Sequence, residues 1–226
     1  IPTLAPTDPP EALPDPADAL AEPNGLLAVG GALTPQWLVH AYRRGVFPWY
    51  GAGQPILWWS PDPRAVLFPA EFRRSRSLRR SIRGRGFETR IDGDFGAVMA
   101  GCAAPRRGQP GTWLVPSMRR AYLRLHRLGI AHSVETWRDG RLVGGLYGVA
   151  IGAVFFGESM FSSESDASKV ALSRLVEECT ARGVALIDCQ QPTSHLGSLG
   201  SRPIARREFC GLLATLADPR RQLWRG

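Results

Sequence analysis

One lysine, Lys169, stands in the whole chain, and every other basic residue is an arginine. The net charge is nevertheless +8 and the isoelectric point about 10.1. A surplus of that size favours acidic or nucleic-acid partners, although arginine skew with abundant Ala, Gly and Pro also follows from genome composition. Long hydrophobic runs are missing. None reaches the ~18–20 residues that a membrane-spanning helix needs, so no membrane span is expected. The proline-rich start, with Pro at 2, 6, 9, 10, 14, 16 and 23, has no basic segment followed by an apolar one. No signal peptide is therefore expected, and a cytoplasmic location is the default. Cysteine is scarce: Cys102, Cys179, Cys189 and Cys210 are far apart and form no C-x-x-C pair. This argues against zinc and against a disulfide framework. The histidines, His40, His126, His132 and His195, show no H-x-x-x-H spacing, and no metal is expected. A Walker loop and a G-x-S-x-G elbow are also missing, which removes two common nucleotide and hydrolase signatures.

What remains is a chain of 226 residues, 44% hydrophobic and 21% charged, long enough to bury a substantial core. Residues 1–24 read as loop. Thr34 as N-cap and Pro35 at the first position open a helix whose apolar face is Trp37, Leu38, Ala41 and Tyr42. Trp49, Tyr50, Trp58 and Trp59 concentrate aromatic area, either as a small core cluster or as a stacking surface for a base. Ser60-Pro61-Asp62-Pro63 reads as a junction, because two prolines stop both helix and ladder. It divides the chain into a small N-terminal domain at 1–63 and a larger domain at 64–226. Ser75 can cap a helix in which Arg76, Arg79, Arg80 and Arg83 share one face, with Leu78 and Ile82 opposite. A solvated face is the ordinary meaning of such a run. Charge of one sign on one face is self-repelling, however, and favours a phosphate-binding patch.

From Ala131 onward the order is strand (131–137), hairpin turn at 138–140, strand (142–151), strand (153–161) and helix (167–182). A strand (184–189), a Gly-rich loop (195–207) and a last helix from about 206 to 217 follow. Asp166 is the expected cap of the 167–182 helix, which is long enough to cross between parallel neighbours. A mixed sheet flanked by helices follows, an α/β (α+β) fold that resembles the GCN5-related N-acetyltransferase architecture. Resemblance at that level fixes no activity. The segment SSESDASK before the crossover helix lacks the glycines that cradle a pyrophosphate in such acetyltransferases, so acetyl-CoA is not expected.

The chemistry-bearing residues sit at the edges of this unit. Asp188 and Gln190 share one side of a strand at its carboxyl end, where α/β sheets open a crevice. They are either a reactive pair or a pair that caps the strand. Glu158 follows VFFG, in a segment so apolar that a carboxylate must be paired or face a cleft. With Asp188 it could hold a cation or accept a proton. Cys189 faces the other way and reads as core.

Many separate motifs, in order, closely resemble bacterial leucyl/phenylalanyl-tRNA–protein transferases. They are EPNGLLAVGG (22–31), AYRRGVFPWY (41–50), PILWWSPDPRAVL (55–67), GTW (111–113), LVGGLYGVAIG (142–152), FGESMFS (156–162), ASKVAL (167–172), LIDCQ (186–190) and HLGSLG (195–200). The resemblance implies transfer of Leu or Phe, and less efficiently Met, from charged tRNA to the N-terminal Arg or Lys of acceptor proteins. That marks the acceptors for N-end-rule degradation. It implies no cofactor or metal, a cytoplasmic enzyme, no membrane partner and a monomer. Carried over by motif, Asp188 and Gln190 are the catalytic pair. Glu158, Trp49, Trp113, Leu146, Phe155 and Leu172 bind substrate, and Arg76, Arg80 and Arg83 meet acceptor-stem phosphates. Leu146 stands where a methionine can occur in relatives, which bears on the Leu/Phe/Met preference. His195 is expected to be structural. A CoA-dependent N-acyltransferase and a non-catalytic tRNA-binding module are the alternatives.

Overall fold

The computed structural model describes residues 1–104, 114–221, 223 and 224. Two sheets carry the architecture. The smaller is built from β1 (Thr3–Leu4), β2 (Leu26–Gly30), β3 (Phe47–Pro48) and β4 (Leu57–Trp59), in the order β1-β2-β4-β3. Helix α1 (Pro35–Arg43) follows β2; the Thr34 hydroxyl accepts the Trp37 amide at 3.3 Å, and Pro35 leads the first turn. The expected loop at 1–24 thus contains a strand, β1, which runs parallel to β2.

The larger sheet has seven strands in the order β11-β5-β10-β9-β8-β7-β6. They are β5 (Arg64–Leu67), β6 (Glu88–Ile91), β7 (Ala131–Arg138), β8 (Arg141–Ile151), β9 (Val154–Ser162), β10 (Leu186–Gln190) and β11 (Arg202–Ile204). β9 and β10 pair in parallel, and every other pairing in this sheet is antiparallel. One parallel pair needs one crossover, and α5 (Ala167–Arg182) makes it. The remaining helices are α2 (Arg76–Gly84), α3 (Phe95–Ala103), α4 (Pro116–Arg127), α6 (Ser194–Ser198) and α7 (Arg206–Leu216).

Two core clusters follow from the alternation of side chains across the sheet. One takes Tyr147, Val149 and Phe156 from β8 and β9. It joins them to Leu38 and Tyr42 of α1, Met99 of α3, Tyr122 of α4, Phe209 of α7 and Trp58 of the small sheet. The other takes Leu67, Leu146, Phe155 and Ile187, with Leu78 of α2 and Val170, Leu172, Leu175 and Val176 of α5. The small sheet therefore packs into the first cluster.

Two expectations need correction. The stretch 195–207 is not a plain loop, because α6 begins before it and β11 extends the sheet along β5, pairing Arg202 with Val66 and Ile204 with Arg64. Asp166 does not cap α5 with its side chain. It takes a left-handed backbone (φ 69°), and the free amide of Ser168 goes instead to the Ser162 hydroxyl at 3.1 Å.

The N-terminus of α5 lies hard against β8. A methyl group on Gly144 would sit 2.6 Å from the Ala167 Cβ and 2.8 Å from its carbonyl carbon. Gly144→Ala should accordingly lower stability by about 1–3 kcal/mol through overpacking. Urea unfolding reads this as a lower midpoint with an unaltered slope; an unchanged midpoint would contradict so close an approach.

Candidate active site

Parallel strands β9 and β10 pair through Leu186–Val154, Ile187–Phe155 and Asp188–Phe156. Past that last pair they part. β9 continues along β8, where an irregularity between Tyr147 and Gly148 sets Glu158 outside the regular register. β10 turns off through a left-handed Gln190 (φ 55°). Both candidate residues lie just beyond the last β9–β10 pair: Gln190 at the carboxyl end of β10, and Glu158 midway along β9, which runs on to Ser162.

The Asp188 carboxylate is fully buried and is fixed by a residue that the sequence reading passed over. Arg64 Nε donates to Oδ1 at 2.8 Å and Nη2 to Oδ2 at 2.7 Å, a two-pronged pair. Arg64 is itself 0% exposed; its third nitrogen, Nη1, donates to the Gly45 carbonyl at 2.9 Å, and its guanidinium centre lies 4.8 Å from the Phe47 ring and 4.6 Å from that of Phe209. Asp188 Oδ1 also accepts the Gln190 amide at 3.0 Å, with the Gln190 side-chain nitrogen 3.5 Å from Oδ2. The strained backbone of Gln190 is held by this contact.

Glu158 sits among two tyrosines, Tyr42 and Tyr122, that the sequence did not mark as functional. Tyr42 Oη lies 2.7 Å from Oε1, Tyr122 Oη 2.6 Å from Oε2, and the two hydroxyls are 2.6 Å apart. Three short oxygen contacts form a triangle, yet two hydroxyls own two protons. With Glu158 ionised, one side of the triangle lacks a proton; with Glu158 protonated, all three sides are filled. Burial is the largest influence and pushes the carboxyl up to about 7, aided by the charge of Asp188 and opposed by the tyrosine hydrogen bonds and Arg64. Burial also drives Tyr42 and Tyr122 well above the ordinary phenol range, so both stay protonated donors.

The other expected residues are distributed as follows. Leu146, Phe155 and Leu172 are brought together, all buried, in the cluster between the sheet and α5. The partners of Glu158 belong to the opposite cluster, so Glu158 does not share that wall. The aromatic concentration divides. Trp58 is buried and stacks on Trp37 at 5.6 Å, whereas Trp49 is 45% exposed, set edge-on to Trp59. Trp113 lies outside the described residues. Arg76, Arg79, Arg80 and Arg83 are exposed on α2, and among the described residues they form no ion pair. Arg79 and Arg83 line a cleft of about 380 Å³ with Phe72, Arg74, Ile82 and Glu177. His195, expected as structural, is exposed on α6. Cys189 packs against the second cluster, and burial pushes its thiol up to about 12. Among the described residues no three His, Cys, Asp or Glu side chains converge as metal ligands would.

Sequence alone carries a faint signal for Arg64. It opens an apolar run, RAVLF, and Asp188 ends another, LID, so each charge is costly without the other. Tyr42 and Tyr122 carried none, because each falls on the apolar face of its helix.

At the end of the β9–β10 pairing the mixed sheet thus brings together a buried carboxyl, Glu158, and a hydrogen-bonding pair, Asp188 and Gln190. The model of the leucyl/phenylalanyl-tRNA protein transferase family matches residues 66–214, and that of its N-terminal domain matches 31–62. Leucyl/phenylalanyl-tRNA–protein transferases are similar throughout. That of Azoarcus sp. is 60% identical over 97% of this chain and 94% of its own length. That of Azotobacter vinelandii is 60% identical over 84% of each. The chain belongs to the leucyl/phenylalanyl-tRNA–protein transferase family. Among solved structures, a GCN5-related N-acetyltransferase from Kribbella flavida covers 76% of this chain and 61% of its own, at 13% identity and a TM-score of 0.41. So distant a likeness carries no argument about function.

Removing one partner of a fully buried ion pair strands the other charge. Arg64→Leu should cost about 3–5 kcal/mol, and Arg64→Leu with Asp188→Leu less than the two single changes combined, because an apolar pair leaves no orphan. Guanidinium unfolding of the three variants measures this; strict additivity would deny the coupling.

Proposed function

We propose that this chain moves leucyl or phenylalanyl groups, and methionyl groups less efficiently, from aminoacyl-tRNA to the N-terminal Arg or Lys of acceptor proteins. The observation that carries the reading is the parting of β9 and β10, with Glu158 on one lip and Gln190, braced by Asp188, on the other. The family's activity, aminoacyl transfer from tRNA to protein, supplies the donor. The finer assignments are acceptor residues, targeting for N-end-rule degradation, a monomeric state and a cytoplasmic location. They rest on the resemblance, together with the finding that no described helix is long and apolar enough to cross a membrane. We also assign residues 1–63 to a small N-terminal domain and 64–226 to the catalytic domain, which fits the start of the large sheet at Arg64.

The reaction is aminolysis of an ester. The acceptor's neutral α-amine attacks the carbonyl carbon, the C–N bond forms, and the C–O bond to the terminal ribose breaks. One proton leaves nitrogen and one arrives at the ribose oxygen. No covalent intermediate is demanded, so the protein's tasks are positioning and proton handling. Asp188 is occupied by Arg64 and by the Gln190 amide, which supports an orienting role. Gln190 then holds the amine. Glu158 takes the proton: ionised, its triangle with Tyr42 and Tyr122 is one proton short, the proton leaving nitrogen completes it, and handing one proton on to the departing ribose oxygen returns Glu158 to its ionised form. Leu146, Phe155 and Leu172 wall an apolar site for the aminoacyl side chain; a pocket of that kind discriminates by only ~1–3 kcal/mol per methylene, which fits a Leu, Phe and Met range. Trp49, exposed beside Trp59, stacks near the terminal adenosine, and the resemblance gives Trp113 a substrate-binding role as well. Arg76, Arg80 and Arg83 face phosphates by charge and shape.

Transfer of labelled Leu from charged tRNA to a peptide beginning with Arg, but not to one beginning with Gly, tests this function; equal transfer to both, or none to either, refutes it. Under single-turnover conditions Gln190→Ala and Asp188→Ala should each slow the chemical step by about a hundredfold or more, as loss of positioning does. Near-normal rates in both would deny the pair a positioning role.

The pH dependence has a definite sign. The fold raises the Glu158 carboxyl from 4.5 to about 7, so the folded protein holds an extra proton between those values. Its contribution to stability is full below about 4.5 and declines as the pH rises to about 7. Activity should move the opposite way, with a limb in kcat/KM rising through about 7 as Glu158 ionises. Glu158→Gln should abolish that limb and leave only titration of the acceptor amine near ~7.7–8.0. Tyr122→Phe removes a hydrogen bond to the carboxylate and should move the limb to higher pH. A limb that stays put in Glu158→Gln would assign the proton elsewhere.

A further inference from the structure

Helix α2, which presents the exposed arginines, is joined to α5, which carries Leu172, by a set of polar bonds. Ser81 Oγ, on the buried side of α2, donates to Asp166 Oδ2 at 2.7 Å. Lys169 Nζ donates to Asp166 Oδ1 at 3.1 Å. Arg85, just past α2, donates to the Ser165 carbonyl at 2.8 Å. Before α2, Arg74 reaches Ser173 Oγ at 2.7 Å and Glu177 Oε1 at 2.8 Å. Between these ties Leu78, 1% exposed, enters the same apolar cluster as Leu146, Phe155 and Leu172.

Asp166 is the unusual member. It takes a left-handed backbone, as Asp92 and Asp139 also do, and its carboxylate accepts from Ser81 of α2 and Lys169 of α5 rather than from the amides at the start of α5. Aspartate visits that conformation more readily than most residues, and surrounding contacts hold it there. Here they do so by fixing the start of α5 to the middle of α2.

We propose that Asp166, through Ser81, is a positioning residue that holds the α2 arginine face at a set offset from the aminoacyl pocket. The acceptor stem and the aminoacyl group it carries then register together. The two ends of one substrate are bound by different elements, and a covalent ester joins them. Any slack between α2 and α5 would let phosphates bind while the carbonyl sits out of line. The proposal rests on the reading of α2 as the tRNA-facing helix.

Two donors separate the possibilities: full leucyl-tRNA and a minimal 3′-leucyl-adenosine that has no acceptor stem. Asp166→Ala should lower kcat/KM for leucyl-tRNA by about ten- to a hundredfold, the range that an ångström-scale misplacement produces. It should leave the minimal donor unchanged. Ser81→Ala, a milder change away from the left-handed backbone, should show the same split more weakly. Asp166→Asn, which tolerates the left-handed backbone and still accepts from Ser81, should recover most of the loss. Arg80→Ala reports on the underlying reading, since it should weaken leucyl-tRNA use and flatten its salt dependence. If Arg80→Ala does nothing, the assignment of α2 fails. If Arg80→Ala acts but Asp166→Ala and Ser81→Ala leave both donors untouched, or reduce both equally, the positioning role is overturned and the contact is only structural.

Discussion

The pairing of Arg64 with Asp188 is the constraint from which the site follows. Arg64 is the first residue of the large sheet, and its three guanidinium nitrogens reach Asp188 on the neighbouring strand and the Gly45 carbonyl just past α1. Two rings, from the small sheet and from the last helix, cover its faces. One side chain thus ties the N-terminal elements, the sheet and α7 together at the point where β10 leaves β9. A buried ion pair is poor value as pure stabilisation, because desolvation of both charges offsets most of their attraction. Its worth lies in direction. The fork sets the carboxylate plane, the carboxylate sets the Gln190 amide, and the amide holds a backbone conformation that glutamine would otherwise avoid.

Glu158 and Asp188 show how environment separates two carboxylates on adjacent strands. Asp188 has a cation within hydrogen-bond reach and an amide besides, so its charge is satisfied and its lone pairs are used. Glu158 has only neutral phenols, which cannot compensate for burial, and its carboxyl rises to about 7. The parted strands place the two kinds of group on opposite lips of one opening. In the proposed aminolysis, that division supplies a held amine on one side and a place for one proton on the other.

Most of the fold was legible because its long elements have clear periodicity. The crossover helix, the hairpin at Asp139-Gly140 and the caps at Thr34 and Ser75 are local and were readable. The failures were non-local. β11 is a three-residue strand with a proline in it, and only its partner β5 makes it a strand. Asp166 has the right residue type for a cap, but α2 claims its side chain from 85 positions away in sequence. Within the site, Asp188, Gln190 and Glu158 stood out as polar interruptions of apolar runs. Tyr42 and Tyr122 could not, because an apolar helix face hides a hydroxyl, and nothing in one sequence says that two helices 80 residues apart meet over a third residue.

The basic surplus now has a structural address. Arg64, Arg74, Arg85 and Arg202 are spent internally, on Asp188, Glu177, the Ser165 carbonyl and Glu71. Among the described residues the α2 arginines at 76, 79, 80 and 83 form no ion pair, and they stand together on one exposed helix. Guanidinium groups suit both jobs. They are weakly hydrated enough to be buried against a carboxylate between aromatic rings, and they remain charged in any environment when turned toward phosphate. A lysine at position 64 could not fork onto a carboxylate while also reaching a carbonyl. The near-absence of lysine, whatever its origin in composition, is therefore compatible with the two tasks that most depend on a fixed, planar cation: holding Asp188 inside the protein and meeting phosphates outside it.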